Sequence, residues 1–247
     1  MSNKNNLQKK LNLNYTWLTR QVYKEGPFDM PILYCKDDYE PDFLALYGEI
    51  GLYHKTKYTT ICFHQNDYIF NGPKGICNAV YYDDKKYLNE FKKRFKGCHY
   101  FIMPDCSLTH DQDKWDIIFR MAIMRLACLW LTFELEAHVI PLITYGVDET
   151  FDLMLTGLKE CETVAFSIKG SLLETCKKEQ LLRAIKYTVD NLKKLRSIIV
   201  YDNCMNDQVV YGVFEYATKN GIKLIIPSNT LKERNRQKGE QLWAELV

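Results

Sequence analysis

No catalytic signature stands in this sequence. GxSxG, HxH and HExxH are absent, which argues against a serine-hydrolase elbow and against the usual zinc pairs. GxGxxG and GxxxxGK[ST] are absent too, which argues against a Rossmann or P-loop protein. No CxxC occurs among nine scattered cysteines, an odd number, so a structural zinc site is not expected. Several cysteines lie inside apolar runs, notably Cys62 and Cys128, and read as reduced, buried thiols of a cytoplasmic protein. Net charge is nearly absent: 33 Lys+Arg oppose 31 Asp+Glu, leaving +2 and no global field for nucleic acid or membrane. Arginine is scarce, 8 against 25 lysines, so few guanidinium forks exist for bidentate phosphate contacts; the bias fits an AT-rich genome. The first ten residues are polar and Asn/Lys-rich and do not read as a signal peptide. No apolar run spans a bilayer. The richest stretch, 115–137, carries five charges, and its longest charge-free run is eight residues against about 20 for a span.

What is present is the profile of a globular chain. The protein has 247 residues, 47% apolar and 26% charged, enough to bury a full core. No Pro-, Gly- or Ser-rich linker divides it. The simplest partition is an N-terminal arm (1–30), one domain (31–230) and a C-terminal helix (231–247) packed on that domain. Trp17, Leu18 and Val22 are candidates to pin the arm.

Hydrophobic patterning then predicts elements. Strands are expected at 31–34, 59–64, 75–82, 99–103, 138–144, 162–168, 197–201 and 222–226, while 42–47 is too short to assign. Helices are expected at 85–96, 115–137 with Asp113 as the N-cap ahead of it, 150–158, 178–195 and 209–220, with Gly97 and Gly221 as left-handed caps. Pro141 suggests a bulge or a strand start within 138–144. The strand runs are continuously apolar, as expected when both faces are covered. Strict alternation implies an α/β fold of repeated β-α units, with a parallel sheet closed or partly closed into a TIM-barrel-like (β/α) barrel; an open doubly wound sheet is the alternative.

In either architecture functional groups gather at the carboxyl ends of strands. That rule selects Asp105, Asp148 and Glu149 as candidate catalytic carboxylates. Ser107, Tyr145, Ser167, Tyr201, Asp202 and His110 are the candidate ligand-binding residues. His64 and Lys169 stand at the same predicted rim. Converging carboxylates can hold a divalent cation or divide acid and base roles. Each has an ordinary rival: Asp83–Asp84 and Asp148–Glu149 as helix caps, Asp105 and Asp202 in turns.

Residues 75–227 resemble an uncharacterised family found in bacteria, phages and mobile elements, catalogued only as a domain of unknown function. The resemblance rests on Pro104-Asp105-Cys106-Ser107-Leu108, similar to the family's Pro-Asp-Phe-Ser. It rests also on Val139-Ile140-Pro141, on Tyr145-Gly146 followed by Asp148 and Glu149, on Gly157, on Ser167 with Gly170, and on Ile198-Ile199-Val200-Tyr201. Cys106 replaces the usual aromatic, and Asp202 stands where the family tends to have glycine. The resemblance implies a mobile-element context but no settled activity.

The expectation is a rim that binds a phosphate-bearing ligand, nucleotide or nucleic acid, with hydrolysis as the reaction class if it is an enzyme. Two alternatives stand beside it. One is a non-catalytic interaction protein presenting exposed aromatics to a host protein. The other is DNA contact through the arm and the lysine-rich 85–96 helix. No membrane partner is expected.

Overall fold

The computed structural model describes residues 15–109, 112–204 and 206–246, the side chains of 239–246 excepted. The first part of the arm and the apolar end of the last helix, Leu242, Trp243 and Leu246, therefore lie outside the described residues or side chains.

The fold is α/β, with parallel sheets built from β-α units. A two-residue ribbon comes first: β1 (Lys24–Glu25) pairs antiparallel with β2 (Met30–Pro31) and stands apart from the parallel strands. The strand expected at 31–34 is thus this short ribbon. Leu33 instead hands its N–H to Gly157 O, 2.8 Å away. Gly157 has a φ of +77°, and a Cβ there would meet Pro31 O at 2.5 Å, so glycine alone fits the close approach.

The parallel strands follow: β3 (Phe43–Leu46), β4 (Thr59–Cys62), β5 (Tyr100–Ile102), β6 (His138–Ile140), β7 (Thr163–Ser167), β8 (Ser197–Tyr201), β9 (Lys223–Ile225) and β10 (Ser228–Asn229). They form a five-stranded sheet in the order β10-β3-β4-β5-β6 and a three-stranded sheet β7-β8-β9. One isolated parallel bridge, Leu142 to Ala165, links the two. Pro141 ends the ladder of β6, yet its carbonyl accepts Ala165 N–H at 2.8 Å. β9 pairs with β8, while β10, two residues further on, pairs with β3.

Residues 43–46, left unassigned by pattern, supply the central pairing of the first sheet: Phe43, Leu44 and Ala45 are buried, and each of the strand's four residues has a partner in β4. Residues 75–82 correct the expectation of a strand. They form the helix Ile76–Tyr82, in which Ile76, Cys77, Ala79 and Val80 are buried at helical spacing. Val80 and the two tyrosines had suggested a strand by composition, and the period decides otherwise.

The remaining helices cover the strands. Lys114–Leu135 is the longest, and eleven of its residues are buried, so its apolar character reflects a core position. Among the described residues no helix is long and apolar enough to cross a membrane. Thr175–Asn191 links β7 to β8, and Asp207–Val213 with Glu215–Lys219 links β8 to β9. The helix Thr230–Leu246 starts directly after β10. β4 and β8 are buried along their whole lengths, as double coverage requires.

Candidate functional site

The carboxyl ends of β5, β6 and β7 open onto one cavity of about 570 Å³. Asp105 to Thr109 line it after β5, Leu142 to Tyr145 after β6, and Ser167 with Lys169 to Ser171 after β7. Lys177 and Gln180, from the following helix, complete the wall. Parallel pairing causes this convergence, because every βα loop leaves the sheet on one side. Asp105, Ser107, Tyr145 and Ser167, separate in sequence, share this space.

Asp105 has a partner behind it. Its Oδ2 lies 2.9 Å from His64 Nδ1; the His64 side chain is 1% exposed and that of Asp105 28%. With a carboxylate as acceptor, Nδ1 carries the proton. The histidine ring packs on Tyr201, with centroids 4.5 Å apart. Ser107 is fixed from outside the cavity: its N–H and Oγ both bond the carboxylate of Asp67, at 2.9 and 3.0 Å. Arg120 reaches the same carboxylate at 3.5 Å.

From the loop after β7, Lys169 Nζ donates to His64 O at 3.2 Å, so it spans to the β4 end and meets the residue that holds Asp105. Gly170, next in the chain, has a φ of +79° and turns the loop. Tyr145 and Ser171 share a hydrogen bond of 3.2 Å. Burial pushes the Tyr145 phenol up, so it stays protonated at neutral pH. Gln180 is 5% exposed, and its Nε2 has no hydrogen-bond partner among the described residues.

Other predicted positions lie elsewhere. Tyr201 does not line the cavity; it is fully buried behind His64, and its hydroxyl, whose pKa burial raises, has no hydrogen-bond partner among the described residues. Asp202 is also fully buried. Its Oδ2 meets Lys232 Nζ at 3.0 Å and its Oδ1 accepts the Cys204 N–H at 2.8 Å, so its carboxylate is already occupied. Lys232, itself 1% exposed, also pairs with Asp207 at 2.6 Å. Asp148 and Glu149 stand on a 3-10 turn outside the cavity lining, and both are exposed. Asp148 pairs with Arg183 at 2.8 Å across the surface. His110 lies outside the described residues.

His64 and Lys169 carry the geometry although pattern ranked them below the carboxylates. The available signal was position alone, each standing just past a strand. Among the described residues no three His, Cys, Asp or Glu side chains gather as a metal site. The lysine-rich helix, observed at Lys85–Arg94, is partly spent on its own fold. Lys92 bonds Glu134, and Arg94 turns inward over the Tyr47 ring.

Comparison with curated proteins and with solved structures finds no match. Residues 22–217 do match a family, which is described as a domain of unknown function (DUF4417).

Proposed function

The chain belongs to the DUF4417 family, and from the arrangement at its strand ends we propose that it binds a phosphate-bearing small ligand, of nucleotide size, in the cavity between Asp105 and Lys169. The observation that carries this reading is the lining itself. Among the described residues one cavity of about 570 Å³ is lined by a single carboxylate, two lysines and a set of hydroxyls, and volumes of roughly 300–1,000 Å³ suit small ligands. Lys169 and Lys177 supply positive charge, and Ser107, Ser167 and Ser171 supply donors. A duplex does not fit such a cavity, so a nucleotide is favoured over nucleic acid.

The same reading takes the strands as a barrel. The support is the pairing: β9 joins β8, and β10 returns to β3 after only Ile226 and Pro227. Together with the Leu142–Ala165 bridge, this leads a line of parallel neighbours back to its start. Asp105, held by His64, is the acid–base group of the cavity and the residue on which hydrolysis would rest. A phage or mobile-element setting, implied by the family resemblance, is part of the proposal.

The test is a thermal-shift screen with nucleoside mono-, di- and triphosphates and pentose phosphates. A ligand of the folded state raises the melting temperature. Lys169→Met and Asp105→Asn should abolish that rise, read in each case against the variant's own unliganded melt. A screen in which no phosphate ester shifts the melt, or in which both variants respond like the parent, overturns the reading.

A second reading has its own observation. Trp115 (68% exposed), Tyr68 (73%) and Tyr82 (52%) are exposed aromatics on neighbouring helices, and Tyr81 touches both Tyr82 and Phe119. Such a surface suits contact with a host protein. Trp115→Ala with Tyr82→Ala would then abolish biological activity that Asp105→Asn leaves intact.

A further inference from the structure

Residues 223–229 change partner midway. β9 pairs with Ser197, Ile198 and Ile199 of β8, and β10 pairs with Phe43 and Leu44 of β3. Ile226 and Pro227, between them, belong to neither ladder, and proline has no N–H to give. Toward the carboxyl ends of the strands both ladders stop. Among the described residues Val200 and Tyr201 have no strand partner on the β9 side, and Ala45 and Leu46 have none on the β10 side.

Side chains take over there. Asn229 caps the last helix, its Oδ1 accepting Lys232 N–H at 3.0 Å, and its Nδ2 donates to Asp202 O at 2.8 Å. Lys232 reaches back to the Asp202 carboxylate, and Asn235 Nδ2 donates to Asn203 O at 2.9 Å. These bonds tie the helix to the end of β8. On its other side Glu233 accepts from Ser228 Oγ and Lys55 Nζ, each at 3.0 Å, which ties the helix to β10 and to the loop between β3 and β4.

Asp202, Asn229 and Lys232 are each at most 1% exposed. A buried ion pair is a weak source of stability, because desolvation offsets its attraction, and its best-attested use is to fix register. Apolar packing is non-directional, whereas these three side chains satisfy one another in one arrangement. Asp202 also follows Tyr201, whose ring backs His64, and His64 holds Asp105.

We infer that the start of the last helix is a strap that closes the barrel between β8 and β3, and that its grip on Asp202 keeps Tyr201 and His64 in place behind Asp105. The inference rests on the barrel reading above and adds what shuts the wall.

The test is hydrogen exchange read by mass spectrometry on the full chain, comparing the parent with Lys232→Met/Asp202→Leu. That double variant removes the buried pair together and strands no charge. Exchange in 223–229 should rise about tenfold or more by local opening, while β5 and β6 keep the parent's rates. In the same variant the His64 Nδ1–H signal in proton NMR should weaken through exchange with water. Should the double variant fail to fold, Glu233→Ala, on a side chain 43% exposed, cuts the outer tie alone. It should raise exchange in 223–229 by about threefold with β5 and β6 again unchanged. An equal rise in β5 and β6 would reduce the strap to general stability and overturn it. A His64 signal as sharp as the parent's overturns the link to Asp105. Amides of 223–229 that are unprotected in the parent overturn the closed barrel and the strap with it. Protected amides that neither variant disturbs overturn the strap alone.

Discussion

His64 and Asp105, 41 positions apart, meet at 2.9 Å and join the ends of β4 and β5. The buried ring holds the carboxylate that faces the cavity, and Tyr201 holds the ring from behind. Replacing His64 by phenylalanine keeps a ring on Tyr201 but removes the donor to Asp105. Unfolding in urea should show a loss of about 1.5–3 kcal/mol, the range for a hydrogen bond to a charged group. A double-mutant cycle with Asp105→Asn should return a coupling of about 0.5–3 kcal/mol. Strict additivity of the two changes would deny the pairing.

The junction between β8 and the last helix depends on Lys232. Its ammonium is buried between Asp202 and Asp207. Lys232→Met leaves Asp202 buried without a counter-charge, and the expected cost is about 3–5 kcal/mol by chemical denaturation. Adding Asp202→Leu should recover much of that loss, because the stranded charge is gone. A single variant as stable as the parent would mean that this junction carries no strain of charge.

Thiol reactivity should divide the nine cysteines sharply. Cys176 is exposed and Cys204 half-buried, while the other seven are buried. Burial pushes Cys98 up to about 11 and Cys128 and Cys161 up to about 12, so little thiolate is present at neutral pH. Alkylation of the native protein followed by mass spectrometry should label Cys176 first, Cys204 more slowly, and the rest only on unfolding. Rapid native labelling of Cys128 would contradict the packing of the long helix.

Stability should fall as pH drops below the ordinary histidine value, and His138 is one cause. Burial lowers its pKa, with Asp38 opposing that effect at 3.8 Å. Its other neighbours, the rings of Tyr39 and Tyr100 and the Cys35 thiol, carry no charge that would favour the protonated form. The unfolded chain binds the proton more readily. The contribution is therefore complete above about pH 6.5 and is lost as pH falls through the lower folded value. Urea midpoints measured from pH 7 to 5 should decline, and His138→Gln should flatten that decline. An identical slope in the variant would remove His138 as a cause.

Much of the α/β order was legible because it is local. Apolar runs such as 197–201, helical spacing in 85–96 and the left-handed Gly97 and Gly221 are properties of neighbouring residues, and the structure keeps them. Residues 75–82 form a helix against their composition, because strand-forming side chains occupy a short run where composition and period disagree. Strand β3 is not legible in the sequence because four residues carry too little pattern.

The candidate rim was legible only as a set of positions past strand ends. The chain by itself determined which residues could alternate between strand and helix, since burial of one face at period 2 or 3.6 is written in side-chain order. The tertiary structure alone decided that Asp105, Ser107, Tyr145 and Ser167 share a cavity while Asp202 is neutralised by Lys232 and Asp148 turns to Arg183. The reason is physical. A carboxylate's role depends on which distant cation or opening its strand is packed against, and that pairing is set by contacts between segments far apart in the chain.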